Sequence, residues 1–151
     1  MGGSAYQQRE CWSWRCRRLP GHGGDVTETT APSTRVPVSI QLIGGPAVLL
    51  EIGGLRLLTD PAFDAPGPIP RADRTLTKTT GPAVAAEEIG QIDALLLSHD
   101  QHGDNLDRSG RALLAHAGLV LTTPEGADRL GRGVAGDDRL RAIAAGERIT
   151  L

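Results

Sequence analysis

Aromatic residues are scarce in this sequence, at 3% of its 151 residues. Any core must therefore be aliphatic, built from Leu, Val, Ile and Ala. Cysteines number only two, Cys11 and Cys16, which excludes a disulfide framework and fits a reduced, cytoplasmic setting. Neither sign of charge dominates. The formal net charge is −2 and the pI about 6.1, so nothing demands the basic face of a nucleic-acid binder. No apolar run approaches the roughly 18 residues needed to cross a membrane, and the N-terminus lacks the apolar stretch of a signal peptide. No G-x-G-x-x-G follows a strand, which leaves a nicotinamide-binding fold without its phosphate loop. No G-x-S-x-G is present, so a serine hydrolase of that type has no visible nucleophile.

What remains is a globular composition, 39% hydrophobic and 23% charged, at a length that suggests one domain. Two unlike segments follow one another. Residues 1–35 show no sustained period of 2 or 3.6 and end in Thr, Pro and Ser. They read as a disordered arm. Cys11, Cys16 and His22 make a poor zinc pattern, and the basic cluster Arg15, Arg17, Arg18 reads as a solvated tail.

Order begins near Val36, and residues 36–151 form the folded part. Val38, Ile40 and Leu42 alternate with Ser39 and Gln41, as in a strand with one buried face. After a Gly-Gly-Pro turn, "AVLLEI" gives a second strand. A Gly53-Gly54 turn leads to a third, "LRLLTD", closed by Asp60 and Pro61. Residues 64–82 form a long connection without evident secondary structure, of the kind that supplies lids and binding loops, or else a slack surface crossing. A short helix over 83–90, a buried strand "IDALLLS", a helix from Arg108 to Gly118 capped by Asp107, a strand "LVLTTP", a helix from Glu125 and one or two final strands complete a mixed α/β order.

The densest chemistry lies in "LLLSHDQHGDNLD", residues 95–107. Two of the four histidines and three aspartates follow a buried strand there, where layered α/β folds place their ligands. Imidazole and carboxylate together suit zinc, manganese or iron. In extended backbone, Asp100, His102 and Asp104 face one way and His99 the other. Asp107 reads as a helix cap, Asn105 as a turn residue and His116 as a surface or packing histidine. The His99-Asp100 dipeptide follows a strand, which sets it apart from the all-helical phosphohydrolases named for such a pair.

Together, "IGGPAVLLEIGGLRLLTDPAFD" and "IDALLLSHDQHGDNLD" resemble the metallo-β-lactamase-fold hydrolases, and among them the ascorbate-6-phosphate lactonase-like branch. That branch has a "TDP" strand end and a "SHDHYDHLD"-type metal loop. The resemblance covers roughly residues 38–151. It implies an αββα sandwich with one or two metal ions, commonly zinc, and a metal-activated water that attacks an ester, lactone, amide or phosphoester. Carried over, His102 takes the second motif histidine. Asp104 takes the motif aspartate, a metal ligand and the catalytic candidate. Asp100 stands where the first histidine would be, Asn105 where the last would be, and His99 lies one position early. Asp60 matches the "TDP" aspartate, a support behind the metal loop.

The pattern D-x-H-x-D-N favours one ion over two. The family's later histidine-bearing strands have no counterpart here, so the chain is expected to form the N-terminal half of the sandwich, incomplete, with a sheet face left bare. Two functions compete: a metal-dependent hydrolase of a small-molecule substrate, and a non-catalytic remnant acting through association. Self-association, or completion by another chain, is expected. Nucleic-acid and membrane partners are not.

Overall fold

The computed structural model describes residues 35–131 and 138–151, which belong to one unit spanning Thr34–Leu151. The expected arm and its cysteines lie outside the described residues.

Three antiparallel strands open the fold: β1 (Val38–Gly44), β2 (Ala47–Ile52) and β3 (Leu55–Thr59). The β2–β3 turn uses Gly53 at φ 61° and Gly54 at φ 91°, the left-handed conformations that glycine adopts without a Cβ penalty. The connection that follows contains a hairpin, β4 (Gly67–Pro70) and β5 (Thr75–Lys78). This differs from the structureless loop read from the sequence. Each hairpin strand carries one inward aliphatic side chain, Ile69 opposite Leu76, too few to signal a strand by alternation. The expected helix over 83–90 shrinks to a single 3₁₀ turn, Ala86–Glu88.

Strand β6 (Ala94–Leu97) then pairs in parallel with β3. Helix α1 (Arg108–Leu113), β7 (Leu119–Thr122), α2 (Pro124–Leu130) and β8 (Leu140–Ala142) extend the sheet in the order β1-β2-β3-β6-β7-β8. Helix α1 is shorter than expected. Its last residues tighten into a turn in which His116 N–H and Ala117 N–H donate to the Leu113 carbonyl. Each parallel step moves the same way across the sheet, and right-handed crossovers then put α1 and α2 on the same face.

That face holds the core. Leu49, Leu58, Leu95, Leu97 and Val120 pack there with Phe63, Ile89, Ile92, Leu106 and Leu114. Complete burial of one such side chain is worth about 1.5–3 kcal/mol. Gly110 brings α1 against the strand end so closely that a Cβ there would stand 1.8 Å from the Pro61 carbonyl oxygen. The opposite face is different. Val38, Ile40 and Leu42, expected to be buried by their alternation, are 56%, 71% and 65% exposed. Their alternation is real, but they point away from the helices, and among the described residues no element packs over them.

Candidate functional site

The motif loop leaves the carboxyl end of β6 and is braced from the neighbouring strand end. Asp60, the first residue beyond β3, sits at φ 28°, where non-glycine residues are uncommon. Its N–H donates to the Leu96 carbonyl at 3.0 Å. Its carboxylate accepts from Ser98 N–H at 2.7 Å and from Ser98 Oγ at 2.9 Å. Ser98 Oγ lies 2.9 Å from His99 Nδ1. In the tautomer that completes this chain, His99 Nδ1–H donates to Ser98, Ser98 donates to Asp60, and His99 Nε2 carries the free lone pair. Asp60 thus braces the loop, and Ser98 joins it as a member that the sequence reading missed.

The next residues do not continue as extended backbone. Asn105 N–H and Leu106 N–H both donate to the His102 carbonyl at 3.0 Å, so the chain curls through a turn. Two-residue alternation fails there, and Asp100, His102 and Asp104 do not converge as extended geometry would have them. The His99 and His102 rings come together instead, edge to face with centroids 5.2 Å apart. The two carboxylates go to arginines. Asp100 binds Arg129 of α2, with Nε at 2.9 Å and a terminal nitrogen at 2.7 Å from Oδ1. Asp104 binds Arg71, which follows β4, through one terminal nitrogen at 2.6 and 2.5 Å from its two oxygens. Among the described residues no group of three or more His, Cys, Asp or Glu side chains is arranged to hold a metal ion.

Behind the loop lies a second carboxylate set. Asp107, 8% exposed, caps α1 as expected, accepting from Gly110 N–H at 2.8 Å. It also accepts from Asp64 N–H at 2.6 Å, and Lys78 Nζ stands 3.6 Å away. Asp64 returns the tie, accepting from Arg108 N–H at 3.3 Å and Ser109 N–H at 3.0 Å. Burial alone would raise the Asp64 carboxyl, but the hydrogen bonds from Ser109 and Arg108, with the nearby Lys78 charge, outweigh it and hold it below its ordinary 3.8.

Asp104 stands at the edge of an open cleft of about 830 Å³. The turn at Gly44–Pro46, the hairpin side chains Ile69 and Leu76, and the segment from Thr79 to Ala83 form its other walls. The long connection therefore lines the cleft beside the motif loop, as a binding loop would. His116 lines a separate cavity beside α1, away from the loop. Sequence reasoning passed over Arg71 and Arg129 because their partners lie 33 and 29 positions away, and no local period marks such pairs.

No family model matches the sequence, and no curated protein matches it. Among solved structures it is similar to the isothiocyanate hydrolase from Delia radicum gut bacteria, with a TM-score of 0.54 and 21% identity. The match covers 73% of this chain and 43% of that one, so this chain spans less than half of that protein's length. At such identity the likeness speaks to the fold alone. It supports a shared fold, laid out here as a mixed sheet with helices on one side.

Proposed function

We propose that the chain supplies the strand-end part of a hydrolase site acting on a small-molecule ester, lactone, amide or phosphoester. The observation that carries this reading is the placement of His99, His102 and Asp104 beyond β6, braced by Asp60 through Ser98, with Asp104 on the edge of the cleft. The fold likeness to a hydrolase supports it. The finer assignment, to a metal-dependent enzyme of the ascorbate-6-phosphate lactonase-like branch, rests on the "TDP" and "SHDQHGDNLD" runs.

The metal of that class would be zinc, with manganese or iron as alternatives, and one ion suits the donors better than two. A catalytic zinc takes about three protein ligands plus water. The described arrangement does not offer them, because both motif-loop carboxylates are committed to arginines. Asn105, in the last motif position, is a poor zinc ligand. No chemical step is therefore drawn through a metal. What the chain's own groups do is clearer. His99 Nε2 is oriented by Ser98 and Asp60 as a proton acceptor, and Asp104 is held at the cleft edge by Arg71.

Metal content and hydrolysis of a panel of esters, lactones and phosphoesters, measured for the purified chain beside His102→Ala and Asp104→Ala, test the reading. Bound metal and turnover that both variants lose would support it. Wild-type protein with neither metal nor turnover would leave the second reading, a non-catalytic associating module. That second reading draws on the exposed aliphatic side chains of β1.

A further inference from the structure

We propose that the cleft beside Asp104 is an acyl-chain site, which holds the aliphatic part of a neutral ester, lactone or amide, with Ile69 and Leu76 setting the preference. This rests on the hydrolase reading above and narrows its substrate class by setting phosphoesters aside. Ile69 and Leu76 lie opposite each other in the β4–β5 hairpin, both half-buried, and both line the cleft. Ile69 also leans on the motif loop, since a Cβ built on Gly103 would stand 3.3 Å from its Cγ2. The aliphatic wall therefore adjoins the loop one residue before Asp104. A ligand chain lying along Ile69 and Leu76 brings its carbonyl end to the carboxylate edge.

The facing wall is pinned. Ala83 N–H donates to the Ile43 carbonyl at 2.7 Å, and a Cβ on Gly44 would meet Pro82 Cα at 3.6 Å. The segment after the hairpin is thus tied to the β1–β2 turn, which gives the cleft a fixed side opposite the hairpin. Its volume of about 830 Å³ falls within the range of small-molecule sites, roughly 300–1,000 Å³.

Charge decides the class of ligand. Among the described residues two ionisable side chains line the cleft, Lys78 and Asp104, and both are already paired. Lys78 Nζ donates to the Ala62 carbonyl at 2.9 Å and stands 3.6 Å from Asp107. Asp104 is bound by Arg71, which does not line the cleft. A phosphate dianion there would shed water without gaining a free cation, and a desolvated charge without a partner is costly. The other polar side chains on the walls are the hydroxyls of Thr77, Thr79 and Thr80, which suit a neutral carbonyl. Aliphatic groups gain from the same walls through burial.

Ligand-observed NMR on the full chain tests this without requiring turnover. The probes are N-methylbutanamide, N-methylhexanamide and N-methyloctanamide, with n-octyl phosphate as the anionic counterpart. The dissociation constant is expected to fall about two- to fourfold with each added methylene, the span from half to full burial. Octyl phosphate is expected to bind at least about tenfold more weakly than the octanamide. Ile69→Ala and Leu76→Ala are each expected to weaken the octanamide about tenfold and to flatten the series. The wild-type comparison with octyl phosphate stands on its own if either alanine variant misfolds. Ile40→Glu, at an exposed β1 position that does not line the cleft, is expected to change nothing. A wild type that binds no probe or shows no chain-length dependence would overturn the proposal. So would octyl phosphate binding as tightly as the octanamide, or a series that survives both alanine variants or is flattened by Ile40→Glu. Chain-length-dependent binding without hydrolysis of the corresponding esters would uphold the site and count against the hydrolase reading. Phosphoester hydrolysis without such binding would do the reverse.

Discussion

Two kinds of aspartate surround the motif loop, and they differ in what holds them. Asp60 and Asp107 accept backbone N–H groups, at Ser98, Gly110 and Asp64. Among the described residues, Asp100 and Asp104 accept only from arginine side chains. A carboxylate bound to backbone amides is part of the scaffold, because its removal orphans donors that cannot move away. A carboxylate bound to a long side chain can exchange that partner for another cation. The loop thus combines a fixed rear and a releasable front.

The largest effects should fall on the fixed rear. Gly110→Ala sets a methyl group into the Pro61 carbonyl and is expected to cost about 3–5 kcal/mol, read by chemical denaturation. Asp107→Ala removes the α1 cap and the anchor of Asp64 together, with an expected loss of about 2–4 kcal/mol. Asp60→Ala orphans Ser98 N–H and is expected to cost about 1–3 kcal/mol. It should also loosen the His99 ring, visible as a changed imidazole resonance. Arg71→Ala belongs to the front and is expected to change stability by less than about 1 kcal/mol. If Arg71→Ala cost as much as Asp107→Ala, the distinction between rear and front would collapse.

Acid offers a finer probe of the same contrast. Asp64 titrates below its ordinary 3.8, so its contribution to stability is complete above that value. It is lost as pH falls from there through the lower folded value. Asp64→Asn should therefore flatten the pH dependence of stability below pH 3.8 and leave it unchanged near neutrality.

Much of this organisation could be read from residues alone. The three opening strands, the buried β6 and the Asp107 cap were legible because each depends on neighbours or on a simple period. Thr123 and Pro124 start α2 just ahead of the Glu125 expected from the sequence, with the Thr123 side chain accepting from Gly126 N–H. The hairpin β4–β5 was not legible, since Pro68 and Pro70 and a single inward residue per strand hide its alternation. The direction of the β1 aliphatics was also hidden. Alternation shows that a strand has an apolar side, but only topology shows that the helices lie on the other one. The curl at His102 was missed for a related reason: a turn closed by one carbonyl leaves no compositional mark, yet it undoes the two-residue rule that would have gathered Asp100, His102 and Asp104.

The central claim is that Asp104 is a ligand-capable carboxylate held in reserve by Arg71. Titration of the purified chain with cobalt(II) or zinc, followed by absorbance and calorimetry, tests it most directly. The expected result is weak binding by the wild type, affinity about tenfold higher in Arg71→Ala, and no binding in His102→Ala. Equal affinity in wild type and Arg71→Ala would show that the arginine reserves nothing. Absence of binding in every variant would contradict the metal-loop reading itself.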